Sequence, residues 1–122
     1  MRPGKKVAHE MSHEEIQELI NIYSEDTKTC EELGFDGVEI HGAHGYLIDQ
    51  FFWDQINHRD DEYGGTIKNR SRFASEILQA AKSNTSENFK VGIRISQWKQ
   101  QDYDAKITSE PCLLYTSDAA DE

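Results

Sequence analysis

The chain has 122 residues, 36% of them hydrophobic and 30% charged, with a mean hydropathy of −0.79. Its 13 Lys and Arg face 23 Asp and Glu, a formal net charge of −10 at pH 7 with no basic cluster, which excludes a nucleic-acid or anionic-membrane surface as the expected partner. That polarity is high for a chain that must bury a core alone, so one small domain lacking part of its packing surface is expected.

The first residues, Met1-Arg2-Pro3-Gly4-Lys5-Lys6, are not followed by the apolar core of a secretory leader. They read as a loop, and Met1 serves equally as an internal methionine. No apolar run approaches the roughly 20 residues that cross a bilayer. Cys30 and Cys112 alone make neither a disulfide framework nor a thiolate metal site. A cytoplasmic, reduced setting is expected.

Ser12 and Glu15 stand in the S-x-x-E spacing of a capping box, and Ile16, Leu19, Ile20 and Tyr23 follow at helical spacing. Cys30 and Leu33 continue that stripe, and Gly34 supplies a left-handed stop. His9 and His13 belong to the solvated start of this helix. Phe35–Ile40 is short, apolar and β-branched, as expected of a strand buried on both faces. A second helical stripe runs through Phe73, Ala74, Ile77, Leu78 and Ala81, and Lys90–Ile95 reads as a second buried strand. The order is a βαβ unit with an extra helix before it, an α/β fold.

Between the first strand and its helix lies a loop from about Gly42 to Gly65, longer than the roughly 2–6 residues usual for such connections. Within it Leu47, Ile48, Phe51 and Phe52 fit a short buried helix. In α/β folds such loops lie at the carboxyl ends of strands, where ligands bind. His41, expected to end the strand, therefore forms a candidate site with His44 and Tyr46. Glycines 42 and 45 are expected to turn the backbone so that the three rings share one space. Two imidazole N–H groups can hold an oxygen on which charge builds, and a phenol beside them can deliver a proton. Arg94, near the end of the second strand, fits either a charged ligand or an ion pair with one of many carboxylates. Trp53 and Trp98 read as packing, and Asp60-Asp61-Glu62 as a solvated loop.

The final residues, Cys112 to Glu122, look like a translated sequencing adapter of the transposase type and are set aside. Native sequence is expected to about Ile107, with residues 108–122 as a tail. Dropping Asp118, Asp121 and Glu122 leaves the chain acidic, and dropping Cys112 leaves Cys30 alone.

The stretch GFDGVEIHGAHGYLIDQFFWDQINHRDDEYGG, Gly34 to Gly65, resembles the Old Yellow Enzyme family of FMN-dependent NADH:flavin oxidoreductases. The resemblance continues through NRSRF, Asn69 to Phe73, and VGIRISQWKQQDYDAKI, Val91 to Ile107. It implies a partial (β/α)8 TIM barrel, residues 1–107 being a fragment of the FMN-binding barrel. It also implies an enzyme using NADH or NADPH as reductant, with an α,β-unsaturated carbonyl compound as its small-molecule substrate. His41 and His44 match the pair that hydrogen-bonds the substrate carbonyl, and Tyr46 matches the proton donor to the α-carbon. Arg94 matches the arginine beside the pyrimidine edge of the flavin. Asn57, Arg59, Asp61, Tyr63, Gly64 and Gly65 match an N-x-R-x-D-x-Y-G-G run that shapes the loop. The parent is compatible with a homo-oligomer.

Two other readings belong to different classes. The acidic helix after Ser12 could serve a non-catalytic interaction module with a basic partner. His41 and His44 could be half the ligand set of a metal-dependent hydrolase, although no third ligand stands at a spacing typical of zinc.

Overall fold

The computed structural model describes residues 9–99, and Trp98 and Lys99 by their backbone only. The expectations for residues 108–122, for Cys112, for a boundary at Ile107 and for the packing of Trp98 lie outside the described residues.

Helix α1 spans His13–Glu32, capped by Ser12 in a full capping box. The Ser12 hydroxyl accepts from the Glu15 amide at 3.2 Å, and the Ser12 amide donates to Glu15 Oε2 at 2.7 Å. At the other end Gly34 adopts φ +89°, and the amides of Gly34 and Phe35 donate to the carbonyls of Glu31 and Cys30. Those paired bonds close the last turn as a Schellman motif.

The buried face of α1 is Ile16, Ile20, Ser24 and Thr27. The expected continuation of the stripe through Cys30 and Leu33 is corrected: Cys30 is half-buried, and Leu33 caps the helix with 73% of its surface exposed. The face takes small polar residues because α1 lies close against α3, residues Ile67–Ser83. There the Ser24 hydroxyl donates to the Ala80 carbonyl at 3.0 Å, which satisfies a buried hydroxyl without a gap. Helix α3 starts at Thr66, whose hydroxyl accepts from the Asn69 amide, and buries Phe73, Ala74, Ile77 and Ala81 as its periodicity predicts.

Strands β1, Gly37–His44, and β2, Lys90–Lys99, pair in parallel from Gly37 opposite Lys90 to Gly42 opposite Ile95. Parallel pairing requires the crossover supplied by α3 and by α2, the short helix Leu47–Phe52. Both strands run further than the sequence suggests. β1 starts after Phe35, which is 60% exposed, and passes through His41 to His44. The expectation of burial on both faces also fails. Val38, Ile40, Val91, Ile93 and Ile95 alternate onto the helical side, whereas Glu39, His41, Gly92 and Arg94 are exposed on the other.

The core lies between that apolar side and the helices, around Ile16, Ile40, Ile48, Phe51, Tyr63, Phe73 and Ile77. Phe51 and Phe73 stack with ring centroids 4.5 Å apart. Among the described residues no helix is long and apolar enough to cross a membrane.

The loop after α2 is a hydrogen-bonded knot. Asn57 Nδ2 donates to the carbonyls of Phe51 and Tyr63, and Arg59 binds Asp61 through Nε and Nη2 and the Met11 carbonyl through Nη1. Tyr63, 1% exposed, donates to Glu76 Oε2 at 2.7 Å and accepts from Gln17 Nε2 at 2.8 Å. The run therefore ties α1, α2 and α3 together. Asp61 is part of this knot, not a merely solvated acid as the sequence suggests, and Glu62 lies 3.2 Å from His13 Nδ1.

Candidate active site

The site forms at the carboxyl end of β1, where the regular register breaks between Gly42 and His44. His44 adopts φ +61° and Gly45 φ +79°, so two successive left-handed residues swing the chain out of the sheet and into α2. A left-handed conformation is strained for a side-chain-bearing residue, although histidine tolerates it better than most. The turn was expected at glycines 42 and 45, and only the second takes part. Gly42 stays in the strand, and a Cβ there would stand 2.7 Å from Ile93 Cδ1, so its role is to admit Ile93.

The elbow is fastened from two sides. The His44 amide donates to Ser96 Oγ of β2 at 2.9 Å, and the Gly45 amide donates to Asp49 Oδ2 of α2 at 2.7 Å. Gln50 Nε2 donates to the Gly45 carbonyl, and the Tyr46 amide to the Ala43 carbonyl.

The three predicted rings come together here. The His41 ring centroid lies 5.6 Å from that of His44 and 5.3 Å from that of Tyr46, each pair tilted by 57°. His41 is exposed on the open sheet face, His44 is half-buried, and Tyr46 is 49% exposed, so Tyr46 is not a core residue. Two imidazoles and a phenol are thus clustered at the strand end, with His41 and Tyr46 exposed. Their N–H and O–H groups suit a carbonyl oxygen and a nearby carbon that takes a proton.

Arg94 is the direct register partner of His41 and lies on the same sheet face. Its Nε donates to Glu39 Oε1 at 2.6 Å, and Glu39 raises the guanidinium pKa further above its ordinary value. The side chain is 59% exposed, not buried, and among the described residues only Nε is engaged. The ion pair therefore leaves much of the guanidinium exposed on the face that carries His41. Among the described residues no group of three or more His, Cys, Asp or Glu converges on a metal position.

Glu39, Asp49 and Ser96 are not among the site residues expected from the sequence. For Asp49 a signal existed: an acid in the first turn of the mostly apolar run Leu47–Phe52, four residues after a glycine, is placed to accept that glycine's amide.

The pattern of the NADH:flavin oxidoreductase / NADH oxidase family matches residues 2–119. The chain belongs to that family of oxidoreductases, also called the Old Yellow Enzyme family. It is 47% identical over 106 residues to a putative 12-oxophytodienoate reductase 11 of Oryza sativa subsp. japonica, covering 87% of this chain and 29% of that protein. It is 44% identical over 105 residues to 12-oxophytodienoate reductase 2 of Arabidopsis thaliana, covering 86% and 28%. A probable flavin mononucleotide-dependent alkene reductase of Leishmania infantum is 49% identical over 90 residues, covering 74% and 24%. The chain thus spans less than a third of the length of these relatives.

Proposed function

We propose that this chain is the substrate-binding segment of a (β/α)8-barrel flavoenzyme that reduces the activated C=C bond of an α,β-unsaturated carbonyl compound. The observation that carries this reading is the convergence of His41, His44 and Tyr46 at the carboxyl end of a parallel strand. The family membership and the naming of relatives as alkene and 12-oxophytodienoate reductases support it. In a closed barrel the face bearing Glu39, His41 and Arg94 turns inward and the helices lie outside.

His41 and His44 hold the carbonyl oxygen of the substrate by ring N–H donors, which draws electron density from the conjugated β-carbon. Bound FMN would supply the hydride for that β-carbon, with NADH or NADPH as the reductant. Tyr46 Oη holds the proton for the α-carbon and recovers one from solvent. The balance is one hydride from the nicotinamide and one proton from water added across the C=C. Arg94 suits the cofactor: an exposed guanidinium with its Nη groups free of other described partners, beside His41, can stabilise negative charge on a reduced flavin. Its role is cofactor binding, not substrate binding. The low-cysteine chain fits a reduced, cytoplasmic setting.

The reading is tested on the full-length protein. Purified from cells, it is expected to carry FMN and to oxidise NADH or NADPH only when a cyclic enone is supplied under anaerobic conditions. A protein that binds no flavin, or that leaves the enone unreduced, contradicts it.

A further inference from the structure

Asp49 is 2% exposed and belongs neither to the three-ring cluster nor to the Glu39–Arg94 pair. A buried carboxylate is costly unless its oxygens are used. Here Oδ2 accepts from the Gly45 amide at 2.7 Å, within a buried surrounding. Gly45 is the residue between His44 and Tyr46, and it and His44 hold the left-handed elbow. Asp49 reaches back from the first turn of α2, the helix that Tyr46 caps. One carboxylate thus spans the only residue separating the second carbonyl-binding histidine from the proton donor.

The surrounding bonds point the same way. Ser96 fixes the His44 amide from β2, and Gln50 fixes the Gly45 carbonyl. Of these anchors, Asp49 alone binds the Gly45 amide and is fully enclosed. Without it the strained pair loses the buried carboxylate to which the Gly45 amide donates and has a lower barrier to relaxing, so the Tyr46 ring is expected to move relative to His41.

We infer that Asp49 is a positioning residue, which sets the separation between the carbonyl-binding histidines and the Tyr46 hydroxyl by holding the His44–Gly45 elbow through the Gly45 amide. The inference rests on the proposed reading of His41, His44 and Tyr46. Asp49 touches no substrate and acts through the backbone.

The test uses the full-length flavoprotein and separates the two half-reactions. Asp49→Ala is expected to slow reduction of an enone by about 100-fold, the usual penalty for a displaced reacting group, and to leave reduction of the flavin by NADH or NADPH within about twofold. Asp49→Asn, which keeps an oxygen for the Gly45 amide, is expected to restore the enone rate to within about tenfold of the parent. In the Asp49→Ala, Tyr46→Phe double variant the losses are expected to be much less than multiplicative, because the second change removes the group the first displaces. Multiplicative losses, equal losses in both half-reactions, or an Asn variant as slow as the Ala variant would overturn the inference. If the Ala variant is not recovered folded, hydrogen exchange of the parent protein decides: the Gly45 amide is expected to be protected, and free exchange there refutes the bond. An unaltered enone rate in Tyr46→Phe alone would instead show that the underlying reading has failed.

Discussion

His41 and Arg94 are register partners across the two parallel strands, and Arg94 is held by Glu39, two residues before His41 on the same strand face. The carbonyl-binding and flavin-binding candidates are therefore fixed by one stretch of β ladder. Arg94→Ala in the full-length protein is expected to weaken FMN binding by about 10- to 100-fold, the equivalent of one charge-assisted hydrogen bond. Titration of the apoprotein with FMN checks this, and unchanged affinity would remove Arg94 from the cofactor site.

The adjacent glycines 64 and 65 are predicted to behave differently. A Cβ on Gly64 would stand 2.0 Å from the Arg59 carbonyl oxygen, which is backbone and has no room to yield, whereas one on Gly65 meets nothing within 4 Å. Gly64→Ala should cost at least ~3 kcal/mol, the upper end of ordinary overpacking. Gly65→Ala, strained only by its φ of +80°, should cost about 1–2 kcal/mol. Denaturant midpoints of the two variants give the comparison, and equal losses would contradict the packing seen at Gly64.

Asp61 ties acid stability to the loop knot. The Arg59 guanidinium holds its carboxyl below the usual carboxylate range, and the Tyr63 amide also donates to it. Because the folded pKa is depressed, this stabilisation is complete above the ordinary value of ~3.9 and is lost as pH falls through the lower folded value. Asp61→Asn is expected to destabilise by about 1.5–3 kcal/mol at pH 7. The gap between variant and parent should narrow as pH drops below ~3.9, as read from melting temperatures across pH. A gap independent of pH would show that the charge of Asp61 is not what stabilises the loop.

Two paired strands cannot close a barrel of eight, and the described sheet ends with β2. Residues 1–107 expressed alone are therefore expected to retain no flavin and to show no turnover. Stoichiometric flavin absorbance in the purified segment would contradict that expectation.

Much of this arrangement was legible in the sequence, and the failures have physical causes. The capping box at Ser12, the left-handed Gly34 and the stripe Phe73–Ala81 were readable because each is a local rule about spacing. The short helix after Tyr46 was readable from its four apolar residues. The faces of β1 were not, since Glu39 and His41 in an otherwise apolar run only reveal a polar side once β2 places Arg94 beside them. Leu33 misled because periodicity does not report where a helix stops. The convergence of His41, His44 and Tyr46 could be anticipated from the long loop, but its means could not. Left-handed backbone at a histidine and a buried acid on the next amide are tertiary facts, and Gly42 drew attention to the wrong hinge.

In the proposed reaction the ring cluster at the end of β1 delivers a proton to a carbonyl-activated alkene, with Tyr46 as the donor. Rapid-mixing rates of the two half-reactions in full-length Tyr46→Phe decide whether it does. Oxidation of the reduced flavin by an enone is predicted to slow by about 10²–10⁴-fold, the range for a lost general acid, while reduction by NADH or NADPH stays near the parent rate. Equal slowing of both half-reactions, or an unaltered enone rate, would rule out Tyr46 as the proton donor.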